Sequence, residues 1–380
     1  MQFSLSDEQI LLRDSAAAFV RDHSSLRRIR ALRDAKDPDG FSRDLWKQIA
    51  ALGWLGIPFA EADGGLGLGL KDLALVLEEF GKGLMPEPLL STVLLGGSAI
   101  QRGGSDAQRA ALLPAVIGGE ALLALAYQER HSRYDLCRVA TRAERAGAGW
   151  RLRGEKILVL DGHVADHLIV SARTAGDERD RAGVTLFLVE RGAPGLQVTR
   201  QSTLDSRNAA LVRLDGVAVG ADAVVGDVDG GGALLAEVVD RATAGLCAEM
   251  LGGMEAAFAM TLDYLKTRRQ FGVPIGSFQA LKHRAAIVFT EIELARSAVL
   301  AAAMALDEAH PQGAQVVSAA KARCSDAFVL AGNEGVQMHG GIGMTDEHDI
   351  GFFLKRARAA EITFGDGAHH RERFAALQGY

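Results

Sequence analysis

The sequence predicts a mainly α-helical protein with a central β domain. An N-terminal helical domain is expected over residues 1–120, an antiparallel β domain over 121–228 and a C-terminal four-helix bundle over 229–380. Three observations carry this expectation. Apolar residues recur at helical spacing in the first part, short β-branched or alternating runs fill the middle, and long helical stretches rich in small residues fill the last part. A chain of 380 residues is also long for one hydrophobic core, so several domains are expected.

In the first region, "SLSDEQILLRDSAAAFVRDH" places Ile10, Leu11, Ala18 and Phe19 at helical spacing, with Ser6 as N-cap and Gln9 three residues on. "SRDLWKQIAALG" reads as a further helix that stops at Gly53, the usual position of a C-terminal glycine. "KDLALVLEEFGKGL" is amphipathic, and "DAQRAALLPAVIGGE" closes the region. Then "ALLALAY", "GWRLRGEKILVL", "DHLIVSART", "GVTLFLVERG", "LQVTR" and "NAALVRLDGVAV" follow, split by Gly, Asp and Pro, as strands are. The spacer "GDVDGGGALL" lacks the strand context of a phosphate-binding GxGxxG loop and reads as a domain joint. Beyond it, "GALLAEVVDRATAGLCAEMLGGMEAAFAMTLDYLKTRRQF" runs for about ten turns without proline. Two comparable stretches follow, and their small residues let helices pack closely, as in an antiparallel bundle.

The bulk numbers exclude several classes. With 48% hydrophobic and 24% charged residues the chain has material for a core, and a formal net charge of −6 argues against nucleic acid as a partner. Cys137, Cys247 and Cys324 are far apart, with no CxxC pair, so neither a disulfide framework nor a metal site is expected. "MQFSLSDEQILL" has no basic stretch before an apolar run, and no apolar run approaches the ~20 residues of a membrane helix. A cytoplasmic protein is expected.

Two segments invite a functional reading. "YLKTRRQFGVPIGSFQALKHR" ends one helix near Arg268–Phe271, turns through "GVPIG" and starts another near Ser277, with Gln279 in its first turn. "QMHGGIGMTDEHDIGFFLKRAR" contains Gln337 and then Gly340, Gly341 and Gly343, where absent side chains let a ligand or another backbone approach. Taken singly, the first is a helical hairpin with surface arginines and the second an interhelical loop. Together, in this order, they resemble the acyl-CoA dehydrogenase family, as do "LSDEQILLRDSAAAFV", "PFAEADGGLGLGL" and "TRRQFGVPIGSFQ". The resemblance spans essentially the whole chain.

That resemblance implies a helical domain, a β domain and a four-helix bundle, usually as a dimer of dimers with FAD extended at the subunit interface. It implies that Arg268, Phe271 and Gln279 meet the FAD of a neighbouring subunit, Arg268 pairing in fork geometry with the pyrophosphate. Gln337, Gly340 and Gly341 would contact the adenosine side. The implied chemistry is α,β-dehydrogenation of an acyl-CoA thioester. A carboxylate removes the α proton, the β hydrogen leaves as hydride to flavin N5, and hydrogen bonds to the thioester oxygen acidify the α carbon. An electron-transferring flavoprotein is the implied acceptor.

The chain also departs from the family pattern. Where the family has a stretch close to T-E-P-G-A-G-S-D, this chain has "QERHSRYD": Glu129 and Asp135 match, while Gln128 and Tyr134 replace the threonine and serine. Where the family has W-I-T-N-G it has "LVLDG", with Leu158 for the tryptophan and Leu160 for the threonine near flavin N5. Polar contacts to the ring are thus lost from this chain's own pocket, while the segments serving a neighbour's FAD are intact. Some bacterial relatives work as hetero-oligomers of two related chains, and "MPEPLLSTVLL" and "EITFGDGAHHRER" look closest to the small subunits of pimeloyl-CoA-type and steroid side-chain dehydrogenases. A homo-oligomer or an α2β2 assembly is implied, acting on dicarboxylic, branched or polycyclic acyl-CoA.

Several residues compete for the role of base. The family's glutamate stands in a motif like Y-E-G-T-S-x-x-x-R. Counting forward from Arg356 lands it on Gly365, whereas counting backward from Arg373 lands it on Asp366. One inserted residue reconciles the counts and makes Asp366 the expected catalytic residue, one methylene shorter than glutamate. Asp366 lies between glycines, where a turn or helix-capping aspartate is common. A few relatives carry the base on the first bundle helix; there the chain offers Asp240 and Glu249, although Ala242 holds the aligned position. The remaining alternative is that no base resides in this chain. His369 and His370 have no accompanying ligand cluster and are not expected to bind metal, and His370 is placed near the adenine by the resemblance. Three functions follow: the dehydrogenase, a partner subunit completing another chain's FAD site, and a relative with altered chemistry such as desulfination or flavin-dependent oxygenation.

Overall fold

The computed structural model describes residues 5–380. The helices of the first part are α1 (Asp7–His23), α2 (Leu26–Asp34), α3 (Arg43–Ala51), α4 (Leu70–Lys82), α5 (Ser98–Gly103) and α6 (Asp106–Ile117), with a π-helical stretch at Leu90–Gly97. The strands are β1 (Leu123–Ala126), β2 (Arg142–Ala146), β3 (Gly149–Leu160), β4 (His167–Arg173), β5 (Val184–Glu190), β6 (Leu196–Ser202), β7 (Asn208–Val219) and β8 (Val224–Val225). Then come α7 (Gly231–Thr267), a small hairpin of β9 (Arg269–Gln270) and β10 (Val273–Pro274), α8 (Gln279–Asp307), α9 (Gly313–His339), α10 (Ile350–Ile362) and α11 (Gly367–Leu377). No described helix is long and apolar enough to cross a membrane. The chain folds as two compact units. One, the helical unit, contains the chain up to Asp34, Gly69–Met85 and Thr243–Tyr380; the other, the sheet unit, contains Ala35–Leu68 and Pro86–Ala242.

In the helical unit the sequence signals act locally as read. Ser6 accepts from Gln9 N–H at 3.2 Å and Gln9 Oε1 accepts from Ser6 N–H at 3.1 Å, a reciprocal cap of α1. Leu70, Leu73, Leu77 and Phe80 fall on one face of α4 and are buried. The start of α4 is capped from a distance: Asp307, the last residue of α8, accepts from Leu70 N–H at 2.7 Å and Lys71 N–H at 2.9 Å. Where α4 crosses α7, Gly81 lies against the Glu249 carbonyl and Gly252 against the Glu78 carbonyl. A methyl group at either position would run into that facing backbone. Helix α7 is 37 residues, about 55 Å long. Helices α8 and α9 are joined through the short segment 308–312, as antiparallel neighbours are.

The sheet unit is an eight-stranded sheet in the order β6-β7-β3-β2-β4-β5-β8, with β1 beside β4. Its hairpins are antiparallel as expected. Strand β1 is added in parallel, Leu123 opposite His167, and its four residues are all buried. Such an unbroken apolar run suits a strand covered on both faces. Trp150 and Phe187 meet edge-on at 5.5 Å in the core, among Leu152, Val170 and Val212.

Strand β3 carries a bulge between Lys156 and Val159 against β7. The extra residue turns Leu158 outward at φ 51° while Lys156 and Val159 stay buried. Lys156 is fully buried and donates to Glu129 Oε1 at 2.7 Å and Ser171 Oγ at 3.0 Å. Glu129 in turn accepts from Ala140 N–H at 2.8 Å and Thr141 N–H at 3.0 Å. Burial pushes the Glu129 carboxyl up, but the adjacent ammonium outweighs it and holds the group below the ordinary range. Burial lowers Lys156 to about 8 against the pull of Glu129, so both are charged at neutral pH. Removing one partner strands the other charge. Lys156→Met is expected to cost about 3–5 kcal/mol of unfolding free energy by chemical denaturation, and an unchanged midpoint would refute this role.

Candidate functional site

At the end of α7, Arg268 N–H still bonds to Tyr264 O at 2.8 Å, and the chain then folds into the β9–β10 hairpin. Its two tip residues, Phe271 at φ 53° and Gly272 at φ 81°, have the left-handed backbone that a tight two-residue hairpin requires. Phe271 is 88% exposed and touches the ring of Phe278 edge-on at 6.0 Å. Arg268 and Gln279 are exposed beside it, Gln279 as the first residue of α8.

The last turn of α9 brings the second segment to the same place. The Tyr264 ring lies 4.5 Å from that of His339, and His339 lies 4.3 Å from His348. This stack joins the end of α7 to the loop after α9, and so brings Arg268 toward Gln337, Gly340 and Gly341. Gln337 and both glycines are exposed, and space is open where a Cβ would stand on either glycine. His339 is 3% exposed; burial lowers its pKa despite the bond between Nδ1 and Gly335 O at 2.6 Å. The loop is also clamped by charge. Arg33 donates to both oxygens of Asp346 at 2.7 Å, and Arg30 donates to Asp349 at 2.8 Å with its guanidinium 4.8 Å from the Phe352 ring. The Arg33 hydrogen bonds hold the Asp346 carboxyl down at about 2.

Asp366 lies elsewhere in the helical unit. It is the N-cap of α11, Oδ1 accepting from His369 N–H at 2.9 Å. The turn before it is strained: Phe364 has φ 61° and Gly365 φ 121°. A Cβ on Gly365 would collide with the rings of His369 and His370. A left-handed non-glycine residue costs of order 1–3 kcal/mol and persists only where its surroundings enforce it. Here His370 Nε2 lies 3.2 Å from Phe364 O, and Lys321 of α9 donates to Gly365 O at 2.7 Å. Between Lys321 and Gln337 α9 rises ~24 Å, so the two groups of candidate residues sit well apart along one helix.

Of the other carboxylates, Glu249 is buried in an ion pair with Arg356 at 2.9 Å, and Asp240 is 8% exposed on α7. In the sheet unit, Gln128 donates to Arg133 O at 3.2 Å, Tyr134 lies beneath the Arg133 guanidinium, and Asp135 accepts from Cys137 N–H at 3.0 Å. Leu158 is 42% exposed and Leu160 half-buried. The exposed arginine, amides, aromatic ring and open glycine backbone fit a group bearing pyrophosphate and a planar base, whereas the two leucines offer no side-chain donor to a flavin. Sequence reading missed the Tyr264–His339–His348 stack, the Arg33–Asp346 clamp and Lys321. Of these only Lys321 leaves a signal, a charge on the apolar stripe of Val317, Cys324 and Phe328.

The chain is similar to known proteins along nearly its whole length. Sequence models of the acyl-CoA dehydrogenase N-terminal domain match residues 6–120, of its middle domain 124–217, and of its C-terminal domain 229–377. Mitochondrial isovaleryl-CoA dehydrogenase of Pongo abelii is 31% identical over 95% of this chain and 86% of its own length. The ChsE4-ChsE5 complex from Mycobacterium tuberculosis is similar with a TM-score of 0.90 at 27% identity, over 100% of this chain and 99% of that one. PigA with FAD and proline is similar with a TM-score of 0.92 at 27% identity, with the same coverage of 100% and 99%. The chain belongs to the acyl-CoA dehydrogenase family. It is therefore an FAD-dependent oxidoreductase of flavin-linked acyl-CoA dehydrogenation.

The turn before α11 has a consequence in acid. Burial drives His370 down to about 3, with repulsion from Lys321 adding to it. The folded chain keeps the ring neutral while the unfolded chain protonates near the ordinary value, so stability is lost as pH falls below about 6.5. Between pH 7 and pH 5 this costs roughly 2 kcal/mol. His370→Gln is expected to lose that much less over the same interval, read as the shift in urea midpoint; equal losses would refute it.

Proposed function

We propose that the chain catalyses α,β-dehydrogenation of a branched, dicarboxylic or polycyclic acyl-CoA, working within an oligomer in the cytoplasm and passing electrons to an electron-transferring flavoprotein. One observation carries this reading: Arg268, Phe271, Gln279, Gln337, Gly340 and Gly341 stand exposed at one end of the helical unit. Arg268 would pair with the pyrophosphate of a neighbouring subunit's FAD, Phe271 and Gln279 would lie along it, and the residues after α9 would meet its adenosine side. The likeness to isovaleryl-CoA dehydrogenase supports a branched acyl group. FAD, when bound, supplies the hydride acceptor. The chain's own work is to hold the thioester, acidify its α carbon and take the α proton onto a carboxylate.

Asp366 is the proposed base, its carboxylate aimed by the start of α11. The ion pair with Arg356 weighs against Glu249, because its carboxylate is already engaged by a buried guanidinium. The cap on α11 favours a second reading, with Asp240 as base and Asp366 structural. Asp366→Ser separates the two, since serine caps a helix as well as aspartate but accepts no proton. It is expected to bind FAD normally and to lose at least ~10²-fold in anaerobic flavin reduction by acyl-CoA. Reduction at the parental rate would move the base to Asp240, and Asp240→Asn must then lose activity.

A different assembly is favoured by Leu158 and Leu160, which offer no polar side chain. In it this chain completes the FAD site of a related chain, a reading the likeness to a two-protein complex supports. Purified alone, the chain is expected to be yellow and to bleach with acyl-CoA. A colourless chain that is stable only with a related partner would overturn this in favour of the partner-subunit reading. Oxygen consumption without an acceptor would point to desulfination-type or monooxygenase chemistry. Arg268→Gln is expected to weaken FAD retention at least ~10-fold, measured as flavin absorbance per chain after gel filtration; unchanged flavin content would remove Arg268 from the site.

A further inference from the structure

We propose that Lys321 is the positioning residue of the α10–α11 turn, its buried ammonium fixing by hydrogen bonds the backbone from which Asp366 projects. The inference rests on the acyl-CoA reading above. Lys321 is fully buried on the apolar stripe of α9, where an amine needs a specific reason to be. It donates to Glu361 O at 2.9 Å, Gly365 O at 2.7 Å and Ser325 Oγ at 3.2 Å. The first of these carbonyls lies in the last turn of α10, where helical partners run out, and the second lies in the strained turn itself.

The acceptors are carbonyls and a hydroxyl, not carboxylates. Glu361 pairs with Arg358 at 2.8 Å, and Asp366 accepts from the backbone of α11. The charge therefore holds main chain in place. The groups around it are Cys247 from α7, Cys324 on α9 itself, Glu361 from α10, and Asp366, His369 and His370 from the turn and α11. Burial lowers the Lys321 ammonium to about 8, so it remains protonated at neutral pH. His370, neutral and facing Phe364 O, closes the turn from the other side. Phe364 and Gly365 thus keep left-handed backbone between two side chains from different helices.

The test uses the full-length, FAD-loaded chain with Lys321→Met, which fills the volume without donors, and Lys321→Gln, which keeps one donor group should the first variant fold poorly. Hydrogen exchange over residues 362–371 is expected to speed up at least ~10-fold in the methionine variant and by less in the glutamine variant, with α8 unchanged. Over a panel of branched and straight-chain acyl-CoA thioesters with a ferricenium acceptor, kcat is expected to fall at least ~10-fold while KM stays within about threefold. Unchanged exchange in both variants overturns the clamp. Faster exchange with unchanged kcat overturns the positioning role. A parent chain that oxidises no thioester defeats the dehydrogenase reading instead, and the exchange comparison still decides whether Lys321 holds the turn.

Discussion

The helical unit depends on satisfying the backbone groups that helix ends leave unpaired. A helix several turns long has its interior bonded by construction, so what distinguishes one arrangement from another is where its ends find partners. Here they find them across the chain. Asp307 at the end of α8 closes the start of α4, and Lys321 within α9 takes up carbonyls at the end of α10. Each contact satisfies an end and fixes the position of one helix against another, so capping and tertiary packing are the same interaction.

Asp366 shows how this constraint bears on chemistry. A carboxylate at a helix start is oriented by the N–H groups it faces, and so is available at a defined place. The same bond occupies one of its oxygens. The catalytic role proposed for Asp366 therefore competes with its observed capping role for one side chain. In the sheet unit the Lys156–Glu129 pair makes a comparable choice. Its charges are spent on tying the loop before β2 to the bulged strand, and the bulge puts the apolar side chain of Leu158 outward.

Much of this was legible in the residues. The cap of α1, the stop near Gly53 and the change of periodicity near residue 121 are local signals, and local signals survive in a single sequence. The parallel addition of β1 to β4 was not legible, because LALA is equally compatible with either direction and its partner lies about forty residues on. The clamp between Arg33 and Asp346 joins residues 313 positions apart, and nothing local marks either one among the chain's many charges. For Asp366 the two sequence readings were both legible, cap and base. The geometry displays the first.

Helix α9 is one continuous element with separate duties along its length. Near Lys321 it holds the turn of Asp366, and at Gln337 it presents a loop to whatever lies beyond the unit. Because ~24 Å of helix separates them, a residue of α9 serves one place or the other, not both. A gene duplicate of such a chain can lose either duty alone and still be retained for the remaining one. Two copies that have lost different duties could then complement each other only within a mixed oligomer.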